Sequence, residues 1–179
     1  MRERNIALIG FRATGKSTVG RILAHKLGRE FVDMDVRLIS ESGRVIAAWV
    51  EQEGWGSFRR AESGLLRALA LKKRLVVATG GGIILDPQND EVLRKDFFTV
   101  WLKAAPQTIQ TRLSSDPGSP LTRPALSELP MKEEIIKVLF EREPLYSRVA
   151  NIEIDTEGKE AIRIADEIEA IVSQSFSRG

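Results

Sequence analysis

The sequence holds 179 residues, with 27 basic and 25 acidic side chains, one histidine and no cysteine. The resulting net charge of +2 leaves no electrostatic footprint for nucleic acid or an acidic membrane surface. Without cysteine there is no disulfide framework, thiol nucleophile, iron–sulfur cluster or cysteine-containing zinc site, and a lone His25 rules out a histidine-rich metal site.

At about 150 residues per domain the length fits one domain, 1–179. Its balance of 42% hydrophobic and 29% charged residues is that of an ordered globular chain. The first element is an apolar run at 5–9, read as a strand. Residues 6–9 are too few for a secretory leader or a membrane helix, so the cytoplasm is the expected compartment. A helix follows over 17–27, with Val19, Ile22, Leu23 and Leu27 along one side and Gly28 as its terminating residue. His25 falls on this helix as a surface residue, turned away from the loop before it.

A second short run, 30–32, reads as a strand. A helix over 57–71 carries Phe58, Ala61, Leu65, Leu66 and Leu69. Strands are expected at 75–78 and 97–102, and Pro106 occupies the first position of a helix continuing over 107–113. Residues 114–130, rich in proline and serine, have neither helical nor strand period; a stretch of that kind inside a compact domain points to a functional loop. A fifth strand at 151–154, with Tyr146 expected to fix its start, leads to a last helix over 159–176. That helix has a stripe of Ala161, Ile164, Ala165, Ile168, Ile171 and Val172. Trp49 and Trp101 read as core. Short apolar runs alternating with helices make an α/β fold, a parallel sheet covered on both faces.

The segment Gly10-Phe11-Arg12-Ala13-Thr14-Gly15-Lys16-Ser17 fits the phosphate-loop pattern G-x-x-x-x-G-K-[ST], and it lies between a strand and a helix as that pattern requires. Glycines let backbone N–H groups curl around phosphate oxygens, and the helix N-terminus adds its partial positive charge. Lys16 is placed to reach the β- and γ-phosphates and the Ser17 hydroxyl to ligate Mg²⁺. No Asn-Lys-x-Asp segment for reading guanine is present, and neither 75–78 nor 97–102 ends in the aspartate of a usual Walker B strand. The acids nearest the loop are Asp33 and Asp35. In an extended chain they point to one side, at the end of the second strand where ligands bind in open α/β sheets. Two readings stand for the pair: support of Mg²⁺ and of a substrate hydroxyl, or helix capping.

In order along the chain, Gly-Phe-Arg-Ala-Thr-Gly-Lys-Ser-Thr at 10–18, Phe-Val-Asp-Met-Asp at 31–35, Gly-x-x-Ile at 43–46 and Phe-Arg-x-x-Glu at 58–62 are followed by Ala-Thr-Gly-Gly-Gly at 78–82, Arg-Pro-Ala-Leu at 123–126, and Arg-Glu-Pro-Leu-Tyr at 142–146 with Ala150. This ordered set resembles shikimate kinase over nearly the whole chain. The resemblance implies a three-layer α/β/α sandwich with a five-stranded parallel sheet and the phosphate-loop kinase fold. It also implies a substrate-binding helical region over about 34–62 and a mobile lid over about 114–130. The implied activity is transfer of the γ-phosphoryl of MgATP to the 3-hydroxyl of shikimate, a step of aromatic amino acid biosynthesis. The enzyme so implied is a monomer with small-molecule partners, without nucleic acid or membrane.

Site roles follow from the same resemblance. Gly10, Ala13, Thr14, Gly15, Lys16, Ser17 and Thr18 form the nucleotide cradle. Asp33 and Ser17 attend the metal, and Asp35 holds the substrate hydroxyls and acts as base. Arg59 and Arg142 bind the carboxylate, Gly81 and Gly82 lie against the ring, Arg123 brings a lid cation to the phosphates and Arg112 lies over adenine. Lys16, Asp35 and Arg123 are the catalytic set.

Read by themselves, the residues agree. An acid with three hydroxyls needs fixed cations and acceptors, and Arg59 can take a carboxylate bidentately while Glu62, three residues on, holds its guanidinium. Alone, Arg59–Glu62 reads as a surface ion pair, Arg142 as part of a solvated face and the triple glycine as a turn. Four features depart from the family pattern: Ile39, Val50, Trp55, and the lid sequence Thr122-Arg123-Pro124-Ala125-Leu126, which lacks the usual double arginine. Trp55 and Arg59 are four apart on one helix, so Trp55 is expected either to restore apolar wall at Val50 or to stack on Arg59. Kinases of other small hydroxy acids, gluconate above all, and a silent nucleotide-binding regulator are the alternatives.

Overall fold

The computed structural model describes residues 4–116 and 126–177. Five strands form one parallel sheet: β1 (Asn5–Ile9), β2 (Glu30–Asp33), β3 (Leu75–Ala78), β4 (Phe97–Lys103) and β5 (Ile152–Asp155), in the order β2-β3-β1-β4-β5. Around them lie α1 (Lys16–Leu27), α2 (Met34–Ser42), α3 (Ile46–Ala70), α4 (Pro87–Asp96), α5 (Pro106–Ser114), α6 (Met131–Val149) and α7 (Ala161–Ser177), with one 3₁₀ turn at Ile83–Leu85.

The strands are buried on both faces, which is why they read as continuous apolar runs. Ile6, Leu8, Val76, Val100 and Leu102 face α1 and α7 through Leu23, Ile164 and Ile168. Ala7, Ile9, Val77 and Trp101 face the other way, onto Leu66, Leu93 and Tyr146 of α3, α4 and α6. Each face of the sheet is thus closed by helices, giving the expected three layers. A third cluster, Phe11, Ile109, Leu113, Ile135 and Val138, packs α5 and α6 beneath the phosphate loop.

Asn5, buried at the start of β1, ties the sheet to α3: its amide donates to the carbonyls of Leu69 and Lys72 and accepts from Leu75 N–H. Gly28 ends α1 in the left-handed region, Pro106 opens α5, His25 is exposed, and Trp49 and Trp101 are buried.

Several boundaries differ from the sequence reading. Strand β2 runs one residue further, and α2 follows without a loop. The helix expected at 57–71 begins at Ile46 and breaks at Gly54, whose φ of 76° is non-helical. Tyr146 sits inside α6, away from the start of β5, which Asn151 fixes by exchanging bonds with Thr99. Most of the irregular stretch 114–130 lies outside the described residues; Ser114 ends α5 and 126–129 form bends.

Candidate active site

The phosphate loop emerges from β1, the central strand, where the connections from its neighbours leave in opposite directions and open a crevice. Three loop residues adopt positive φ: Gly10 (136°), Ala13 (62°) and Gly15 (95°). Gly10 is required by a second constraint, since a Cβ there would overlap the Leu102 carbonyl at the end of β4. Lys16 folds back to donate to the carbonyls of Gly10 (2.8 Å) and Phe11 (2.7 Å), and Thr14 braces the loop from inside by donating to Phe11 O at 2.8 Å.

A cavity of about 310 Å³ runs from this loop across the sheet end to α3 and α6. Ala13, Gly15, Lys16, Ser17 and Thr18 line its loop end; Asp33 and Asp35 line the middle; Arg59, Gly81, Gly82 and Arg142 line the far end. Of the residues expected from the sequence, Gly10 and Thr14 support the loop from behind. Arg112 donates to Ala13 O at 3.0 Å and is not part of the cavity wall. Arg123 lies outside the described residues.

Asp33 and Asp35 both reach the cavity, but not by strand alternation. Asp33 is the N-cap of α2: its Oδ1 accepts from the N–H groups of Asp35 (3.1 Å) and Val36 (3.3 Å), while Oδ2 accepts from Ser17 Oγ. Asp35 stands in the first turn of that helix. Capping and facing the ligand are therefore one arrangement for Asp33, which joins α2 to the phosphate loop.

The glycine run after β3 packs against a different partner at each residue. A Cβ on Gly80 would overlap Glu62 Oε1, one on Gly82 would overlap the Arg59 guanidinium, and one on Gly81 would come into van der Waals contact with Arg12 N and Gly10 O at 3.4 Å. Arg59 is held by Glu62 and lies over the Trp55 ring, with its Cζ 4.9 Å from the centroid. Trp55 lines the cavity and packs with Val50 and Ile39 around Phe58. Arg142 donates to Gly81 O at 3.2 Å. Glu62 is 0% exposed, and burial pushes its carboxyl above the usual range against the pull of the Arg59 guanidinium.

Sequence reasoning missed Arg12, Glu134 and Tyr146. Arg12 lines the cavity and pairs with Glu134, which is 3% exposed. The other Glu134 oxygen accepts from the N–H groups of Leu126 (2.8 Å) and Ser127 (2.7 Å). Tyr146 donates to Gly81 O at 2.5 Å. Its signals were its place at the end of the Arg-Glu-Pro-Leu-Tyr segment and its spacing of four from Arg142, which places both on one helix face.

The shikimate kinase family model matches residues 12–173 of this chain. The chain belongs to the shikimate kinase family. It is 41% identical over 174 residues to a shikimate kinase of Syntrophus aciditrophicus, covering 93% of this chain and 89% of the relative. The solved shikimate kinase from Acinetobacter baumannii in complex with shikimate superposes with a TM-score of 0.90 at 35% identity, covering 96% of this chain and 94% of that one. A gluconokinase from Sinorhizobium meliloti 1021 shares the fold alone, at 16% identity and a TM-score of 0.56 over 97% of this chain and 95% of that one. The chain is an ATP-dependent kinase of the phosphate-loop fold.

Proposed function

We propose that the cavity binds shikimate at its arginine end and MgATP at its loop end, and transfers the γ-phosphoryl to the 3-hydroxyl of shikimate. The observation that carries this is the seating of two guanidiniums, Arg59 on Gly82 and Arg142 on the Gly81 carbonyl, across one cavity from the phosphate loop. Arg59 is oriented by Glu62 and Arg142 by the Gly81 carbonyl, and two fixed guanidiniums lining one cavity suit a carboxylate. Asp35, between the two ends, accepts a hydrogen bond from the acceptor hydroxyl and takes its proton. Lys16 and the N-terminus of α1 meet the charge of the transferred group.

Ser17 Oγ and Asp33 converge on each other in the cavity wall, and no group of three or more acidic or histidine ligands exists among the described residues. One hydroxyl and one carboxylate suit Mg²⁺, which is held by few protein oxygens and completes its shell with water and phosphate. When bound, the ion neutralises charge on the phosphate oxygens. Arg123 enters as a further phosphate cation and 114–130 as a lid; both rest on the family motif at 123–126. No helix among the described residues is long and apolar enough to cross a membrane, and freely diffusing substrates suit a cytoplasmic enzyme.

The test is ADP release measured side by side with shikimate, gluconate and a nucleoside monophosphate. Release dependent on shikimate is expected. Faster release with either other acceptor overturns the substrate assignment, and no release with any of them favours a nucleotide-binding regulator.

A further inference from the structure

We propose that Tyr146 is a positioning residue for acid recognition: its hydroxyl and the Arg142 guanidinium share the Gly81 carbonyl, and the two bonds together fix both the Gly81–Gly82 peptide and Arg142. Tyr146 is 0% exposed and set in an apolar cluster, its ring stacked on Trp101 of β4 with centroids 5.6 Å apart and planes at 29°. A phenylalanine would fill that space. A hydroxyl in such surroundings is costly unless bonded, and its bond is the 2.5 Å contact to Gly81 O.

Arg142 reaches the same oxygen at 3.2 Å from one helical turn away. A carbonyl has two lone pairs, and both are then engaged. Gly81 and Gly82 have no side chains to resist rotation of the peptide between them; the turn around it is closed by Ile83 N–H donating to Gly80 O at 3.2 Å, and the double acceptor fixes the direction of its carbonyl from the α6 side. The peptide is planar and trans, so its N–H, on Gly82, is turned away from α6. The Gly82 backbone is the surface on which Arg59 rests. One hydroxyl therefore acts on both carboxylate-binding arginines: directly beside Arg142 and, through the peptide, beneath Arg59. Burial pushes the phenol up to about 12, so the hydroxyl remains a donor throughout the working range.

The part played in acid binding rests on the substrate reading above, and the experiment separates the two. Tyr146→Phe in the full chain is expected to raise the KM for shikimate roughly five- to tenfold while KM for ATP and kcat stay within about twofold. Amide hydrogen exchange over Gly81 and Gly82, followed without substrate, is expected to quicken. Trp101→Phe, which alters the ring stack but not the hydroxyl, is expected to lower thermal stability and leave the shikimate KM within about twofold. The proposal is overturned by a folded Tyr146→Phe protein with unchanged shikimate KM, by equal rises in both KM values, or by Trp101→Phe reproducing the effect. Should the wild-type enzyme transfer nothing to shikimate, the substrate reading falls. Unchanged glycine exchange in Tyr146→Phe still overturns the positioning claim.

Discussion

The guanidinium of Arg59 occupies the volume that a side chain at position 82 would need. With Trp55 against it and Glu62 bonded to its end, Arg59 has little freedom to yield. Gly82→Ala is therefore expected to displace it and raise the shikimate KM by about tenfold or more, with ATP binding nearly intact. Arg59→Ala sets the scale of full loss, about 2–5 kcal/mol at the acid step. Steady-state kinetics with each substrate varied in turn checks both; a Gly82→Ala enzyme with normal shikimate KM would show that the contact is not what orients Arg59.

Lys16 is anchored on the Gly10 and Phe11 carbonyls and faces the cavity from there. Lys16→Met removes the cation aimed at the transferred group and is expected to lower kcat by about a hundredfold or more in a protein that still folds. Single-turnover phosphoryl transfer, with circular dichroism as the folding control, measures this. Near-normal turnover would contradict the assignment.

Glu62 gives a pH signature. Its carboxyl is raised by burial, so the folded protein holds that proton more tightly than the unfolded chain does. The stabilisation is present below the ordinary value of 4.5 and is lost as pH rises through the raised one. Glu62→Gln has no such titration. The Tm difference, variant minus wild type, is thus expected to grow in the variant's favour between about pH 4 and pH 8. A difference that falls over this interval would mean that Arg59 dominates burial.

Glu134 joins three pieces of chain: its own helix, the backbone of Leu126 and Ser127, and Arg12 in the phosphate loop. Glu134→Ala removes a buried carboxylate that meets Arg12 and two backbone N–H groups, and is expected to cost about 3–5 kcal/mol of stability. Arg12→Met combined with Glu134→Leu should cost less than the two single changes added together. Denaturant titration of the four proteins closes the cycle; strict additivity would show that the pair is not coupled.

Strands 5–9 and 75–78 were legible because their apolar runs are buried on both faces, and the phosphate loop because its spacing, strand and helix are all local. Asp33 and Asp35 were legible as a pair but not as a geometry. A period of two assumes that the strand continues, and here the helix starts at once, with Asp33 as its cap. Helix α6 was not read from the sequence. Pro144 lies inside it, and the exposed Ile136 and Phe140 blur the apolar stripe. Arg12 and Glu134 meet across 122 positions, and no local pattern encodes such a pairing. Gly54 was visible as a glycine, but that it breaks α3 with a non-helical φ of 76° is not encoded in a residue type that helices also tolerate.

Helix α6 touches the phosphate loop through Glu134 and the glycine run through Arg142 and Tyr146. Glu134 and Arg142 are eight positions apart, about 12 Å of helical rise. That rise works as a ruler between donor and acceptor compartments. Lengthening the helix by a single residue between those marks would swing one end about 100° out of phase with the other. The spacing of the two half-sites is in this sense written into the pitch of one helix.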